Sequence, residues 1–182
     1  MTEQPLLPIN DMSARHIGLS LGLATSYHEA ARVCLDAHHN SPVELSVEND
    51  DSPSSVRVEW AVSNDALRNA WRNEIDAAEA AGYCFAIAAT ELIRELFAVS
   101  RAETRTGADY YLAPKGRSMN DLEECIRLEE SGTSRGTIAY LRQTLVKKSN
   151  QARRGASNLP ALAAVVGFLN QKILVKSVDK PI

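Results

Sequence analysis

Residues 107–131 read GADYYLAPKGRSMNDLEECIRLEES, and this stretch decides the fold. Residues 107–112 are short and aromatic, with Tyr110 and Tyr111 adjacent, which suits a strand. Pro114 to Asn120 carries Pro, Gly, Ser and Asn, the residues of a turn. In residues 122–131, Ile126 and Leu128 alternate with Arg127 and Glu129, the period-two pattern of a second strand. Arg127, Glu129 and Ser131 then share one face, while Ile126 and Leu128 point toward covering helices.

Working outward, a helix is expected over 135–154, with Ile138, Leu141 and Leu145 on its core face. Gly155 stops it, and Arg153 and Arg154 stand at the negative end of its dipole. Residues 162–169 and 173–175 read as a buried strand and its continuation. On the other side, Asn64 caps a helical run to about Ser100. Leu67, Trp71, Ile75 and Ala78 step by four and three, and Phe85, Ala88, Leu92, Leu96 and Val99 continue that face. Gly82 either divides this run or marks close packing.

Upstream, residues 26–39 form a helix that starts at Ser26, with Glu29 three residues on as in a capping box, and that Pro42 closes. Val43, Leu45 and Val47, then Val56 and Val58, make a hairpin across the turn residues 49–53. That hairpin either extends the main sheet or forms a separate lobe. The sequence therefore predicts an α+β fold. A central mixed sheet is packed by a long central helix and a C-terminal helix, as an α-β-β-α-β unit. Residues 64–182 are its core, 13–63 an N-terminal helix and hairpin within the same domain, and 1–12 a flexible arm.

The chain has 182 residues, 45% hydrophobic and 24% charged, enough to bury one sizeable core. Its start lacks the basic and apolar segments of a signal peptide, and its longest apolar stretch, 159–169, is broken by Pro160 and too short for a bilayer. The expectation is a cytoplasmic protein with no membrane partner. Cys34, Cys84 and Cys125 are scattered and odd in number, so they read as small buried thiols rather than a disulfide or zinc framework. His38 and His39 are neighbours near a helix end and point about 100° apart, which disfavours a shared metal.

The net charge of −3 hides an asymmetry. Residues 1–130 hold 11 basic and 22 acidic side chains, whereas 131–178 hold eight basic ones and no acid. Cations without acidic neighbours attract phosphates. Arg135, Arg142, Lys147, Lys148, Arg153 and Arg154 are accordingly the candidate nucleic-acid-binding residues. The other reading is a basic surface that balances the acidic half within one fold. Opposite charges on the two halves also favour an oligomer or a larger protein complex.

Two carboxylates stand out on the two strands, Asp109 and Glu129. Paired carboxylates suit Mg²⁺, which keeps several waters and binds phosphate oxygens. Glu91 and Glu95, four apart on the central helix, are candidates for a further metal ligand. At these residues the chain resembles the PD-(D/E)xK nuclease-like superfamily over about residues 74–175. Asp109 in GADYY matches the family's first acid, and Glu129 in RLEESG matches the Glu of its ExK triplet. Glu91 or Glu95 would match the helix glutamate of some members.

The resemblance implies a Mg²⁺-dependent nuclease-like core acting in bacterial DNA processing or defence. One departure is plain: the triplet here is Glu129-Glu130-Ser131, without the lysine that positions water and stabilises the transition state. Arg127 on the same strand face, or Lys147 on the following helix beside Gln143, would have to supply the cation. Arginine can supply only charge, since it cannot accept a proton. The alternative is a non-catalytic subunit of a larger homo- or hetero-complex. A small-molecule enzyme built around Tyr110 and Tyr111 is a weaker third reading, because no nucleophile–base pair, glycine-rich phosphate loop or HExxH supports it.

Overall fold

Ser20 accepts the Leu23 N–H and starts helix α1, Leu21–Asp36, six residues before the Ser26 cap that the sequence suggests. The computed structural model describes residues 4–178. Tyr27, Ala30, Ala31, Cys34 and Leu35 form the buried stripe of α1, as their spacing predicts. Strands β1, Val43–Asn49, and β2, Ser52–Val58, pair antiparallel across Asp50-Asp51. Both aspartates take positive φ, 46° and 68°, the left-handed conformation that a two-residue hairpin turn requires.

The long helical run is cut at 71–73, not at Gly82. Asn64 caps α2, Asp65–Ala70, and Asn73 caps α3, Glu74–Arg94, by accepting the Ile75 and Asp76 N–H groups. Gly82 instead marks close packing: a Cβ there would lie 2.7 Å from the Gly132 nitrogen. Glu95, at φ 54°, ends α3, and the next residues form β3, Leu96–Arg101. Leu96 and Val99 keep helical spacing, but LFAV is also a short apolar run that either structure accepts. β4, Tyr110–Pro114, and β5, Ile126–Thr133, follow. Thr137 then caps α4, Ile138–Arg154, and β6, Ala161–Gly167, turns into β7, Lys172–Val178. β7 is an antiparallel partner of β6 rather than its continuation.

All seven strands form one mixed sheet in the order β2-β1-β7-β6-β5-β4-β3. β3, β4 and β5 are an antiparallel meander, β5 and β6 run parallel across the α4 crossover, and β7 runs parallel to β1. The N-terminal hairpin thus extends the main sheet. α1 and α3 pack on one face over the largest core cluster, and α4 covers the other, with Leu141 against Val165 and Leu174. Alternation along β5 sends Leu128 and Glu130 toward α3, and Arg127 and Glu129 toward α4.

Of the segment 1–12 read as a flexible arm, residues 4–12 are described and pack onto the fold, and 1–3 lie outside the described residues. Leu7, Ile9 and Met12 are buried, and Leu7 and Pro5 exchange backbone hydrogen bonds with Arg57 on the outer edge of β2. Gly18 likewise donates to Ala98 on β3, so N-terminal residues touch both edges of the sheet. Cys34, Cys84 and Cys125 are buried free thiols. Among the described residues no helix is long and apolar enough to cross a membrane.

Candidate functional site

Asp109 stands just before β4 and is tied to β5 on both sides of Glu129. Its N–H donates to the Leu128 carbonyl at 2.7 Å, and its carboxylate accepts the Glu130 N–H at 2.8 Å. The other carboxylate oxygen accepts the Tyr83 hydroxyl of α3 at 3.0 Å. The two acids singled out from sequence are therefore neighbours at the junction of β4 and β5. Glu129 turns toward α4, where its Oε1 accepts from Lys148 Nζ at 2.7 Å, with the Glu129 side chain 1% exposed.

Two adjoining cavities meet at these groups. One of about 880 Å³ lies between the β3–β4 loop and the C-terminal half of α4. Its cations are Arg101, Arg105, Lys147 and Arg154. A smaller one of about 350 Å³ runs toward α3 and takes in Glu79, Tyr83, Glu130 and Lys148. Asp109, Glu129 and Gln151 line both. On α4, Lys147, Gln151 and Arg154 are four and three apart and so share a face; on α3, Ile75, Glu79 and Tyr83 step by four.

Around Lys148 the carboxyl groups of Asp109, Glu129 and Glu130 crowd one ammonium. Burial pushes the Glu129 carboxyl above its ordinary pKa, Lys148 pulls it back, and Asp109 adds to the rise. Glu130 is pushed up much further, first by burial and then by Asp109. Its Oε2 is buried without a hydrogen-bond partner. Burial works against the Lys148 charge, but the bond to Glu129 and the surrounding acids outweigh it, and its pKa rises. The ammonium is therefore held in place and fully charged at neutral pH.

Several sequence candidates have other duties. Arg127 is 1% exposed, and its guanidinium donates to the carbonyls of Thr106, Ala152 and Leu159. It clamps the β3–β4 loop, the end of α4 and the start of β6 together, and offers no cation to the cavity. Glu91 is bound by Arg15 at 2.6 Å and His16 at 2.9 Å, and Glu95 caps α3 with its backbone. Neither lines the two cavities. The acid that α3 does bring is Glu79, three turns and about 18 Å nearer the helix start than Glu91.

The basic residues divide in the same way. Arg135 pairs with Glu74, and Arg142 makes a two-pronged bond to Glu48 at 2.9 and 3.0 Å. These balance the acidic half within the fold. Arg153 donates to Asn150 and borders a separate cavity beside β7. Lys147 and Arg154 face the large cavity, and Lys148 meets the carboxylates.

Comparison of the chain with protein-family models, curated proteins and solved structures finds no match. The site is read from its own chemistry.

No group of three or more His, Cys, Asp and Glu among the described residues is arranged to hold a metal. Mg²⁺, however, commonly takes only one or two carboxylates and fills its octahedron with waters and substrate phosphate. Asp109 meets that requirement with spare capacity: each of its oxygens accepts one hydrogen bond and keeps a second lone pair. Glu129 stands beside it, whereas Glu130 turns to the other face of β5 and burial favours its protonated form, so Asp109 and Glu129 are the carboxylates here that could hold a hard cation.

Proposed function

We propose that this protein is a divergent nuclease-like phosphodiesterase that binds nucleic acid in the large cavity and acts on it at Asp109 and Glu129. The observation that carries this reading is Lys148. A lysine absent from the strand triplet is supplied by α4, at 2.7 Å from the triplet glutamate.

In this reading Asp109 and Glu129 would hold Mg²⁺, which when bound would supply positive charge at the phosphate and an activated water. Lys148 keeps a fixed ammonium beside the same carboxylates, where it stabilises negative charge on a scissile phosphate oxygen. Arg105, Lys147 and Arg154 seat the neighbouring phosphates as point charges and fix the strand's path. Tyr83 and the Glu130 N–H hold the Asp109 carboxylate at its position.

Cleavage of labelled single-stranded and duplex DNA and RNA with Mg²⁺ or Mn²⁺ tests the reading. Cleavage that disappears in both Asp109→Ala and Glu129→Ala supports it, and activity retained in both variants rules it out. A wild-type protein that binds nucleic acid salt-sensitively without cutting it is a degenerate binding relative. A stable oligomer with no such binding is the non-catalytic subunit.

A further inference from the structure

The third feature of the site lies behind Asp109 and belongs in part to the N-terminal helix. Arg101, the last residue of β3, donates through Nη2 to the Tyr83 hydroxyl at 3.0 Å and through Nη1 to the Tyr27 hydroxyl at 2.9 Å. Its guanidinium lies over the Tyr83 and Tyr110 rings at 4.5 and 4.9 Å. The hydroxyls of Tyr27 and Tyr110 are 2.8 Å apart, and the Tyr27 and Tyr83 rings stack at 5.2 Å. Three tyrosines from α1, α3 and β4 thus hold one arginine, which stays open to the large cavity on its other side, and the chain of bonds ends on Asp109.

We infer that Tyr83 and Arg101 are positioning residues for Asp109, and that Tyr27 makes helix α1 part of the site. The inference rests on the reading above only for what Asp109 does; that Asp109 is held in this way stands on geometry. Arg101 occupies the acceptor side of the Tyr83 oxygen, which leaves the O–H to point at the carboxylate, and bonds in such a chain polarise one another. α1 lies outside residues 74–175, so its deletion would remove Tyr27 as well as packing.

The Glu130 amide reports the position of the Asp109 carboxylate directly, because it donates to the other oxygen at 2.8 Å. The test follows that amide by NMR in the metal-free full-length protein, as wild type and as Tyr83→Phe, Arg101→Lys, Arg101→Met and Tyr27→Phe. Tyr83→Phe is expected to move the Glu130 amide proton upfield and to speed its exchange roughly tenfold, the loss of one hydrogen bond to a charged acceptor. Arg101→Met should act in the same direction, Arg101→Lys should recover part of the effect, and Tyr83→Phe with Arg101→Met should do little more than the larger single change. Tyr27→Phe should give a smaller shift of the same sign.

A Glu130 amide unmoved by Tyr83→Phe, in a protein whose other amides match the wild type, overturns the inference. Absence of cleavage by the wild type would remove the phosphodiesterase reading and leave this result intact, since the amide is read without metal or substrate.

Discussion

Lys148 Nζ lies 2.7 Å from Glu129 Oε1, so the helix following β5 brings an ammonium onto the carboxylate of the strand. Lys148→Met should lower the single-turnover cleavage rate by about 10²–10³-fold, the scale seen when one preorganised charge-stabilising group is removed. It also leaves Glu129 buried without its partner, which costs roughly 3–5 kcal/mol of stability. Glu129→Gln in the same chain should recover most of that stability and none of the rate. Thermal denaturation and cleavage measured together separate the two roles.

The large cavity sets a second expectation. Arg105→Ala, Lys147→Ala and Arg154→Ala should each weaken nucleic-acid binding about equally for all sequences and reduce the slope of log K against log salt by about 1. Arg142→Ala, whose charge is spent on Glu48, should leave that slope nearly unchanged. Fluorescence anisotropy over a salt series measures both.

Glu130 gives the molecule a pH dependence of known sign. Its carboxyl is raised well above its ordinary value by burial first, so the folded state holds a proton that the unfolded chain gives up. Its stabilising contribution is complete below the unfolded pKa and is lost as pH rises through the folded one. Glu130→Gln should therefore be more stable than wild type at pH 8, by roughly 1–3 kcal/mol. The difference should shrink toward zero on acidification to pH 4. The comparison isolates Glu130 from His16 and His28, whose lowered values destabilise the fold at low pH in both proteins alike. Urea unfolding at several pH values checks it.

Arg127 should prove structural. Arg127→Met removes the donor to three backbone carbonyls and should cost roughly 2–5 kcal/mol, because buried acceptors are left unsatisfied. Nucleic-acid affinity per folded molecule should stay within about threefold, less than the loss of one hydrogen bond to a charged group. Chemical denaturation beside a binding titration distinguishes this from a role in the cavity.

The α+β class, the strand pair β4 and β5 that brings Asp109 beside Glu129, and the α4 crossover could all be read from the chain. Strand alternation and helix spacing are local signals there and do not compete. The break at Asn73 and strand β3 were hidden because Leu96 and Val99 satisfy helical spacing while LFAV also fits a strand. The docking of residues 5–12 was hidden because Pro5 and Pro8 mark irregular backbone, whether packed or free.

At the site, strand period put Glu129 on one face of β5, but Asp109 stands just before β4 rather than in mid-strand, and the α3 acid at the cavity is Glu79, three turns before Glu91. Glu79 and Tyr83 carry a legible signal, four apart on α3 with Ile75 on the same stripe. Lys148 carried none beyond its neighbour Lys147, because which of two adjacent lysines faces the sheet depends on how α4 is rotated against it. Arg127 shares a strand face with Glu129, yet burial turns it to backbone carbonyls, and sequence spacing gives no measure of that.

The claim on which the account rests is that Asp109 and Glu129 share one hard cation. Isothermal titration of the full-length protein with Mn²⁺ tests it most directly. The account predicts one binding event per chain that is lost in Asp109→Ala and in Glu129→Ala and retained in Glu91→Ala. Wild-type protein that takes up no Mn²⁺, or binding that survives both carboxylate substitutions, would contradict it.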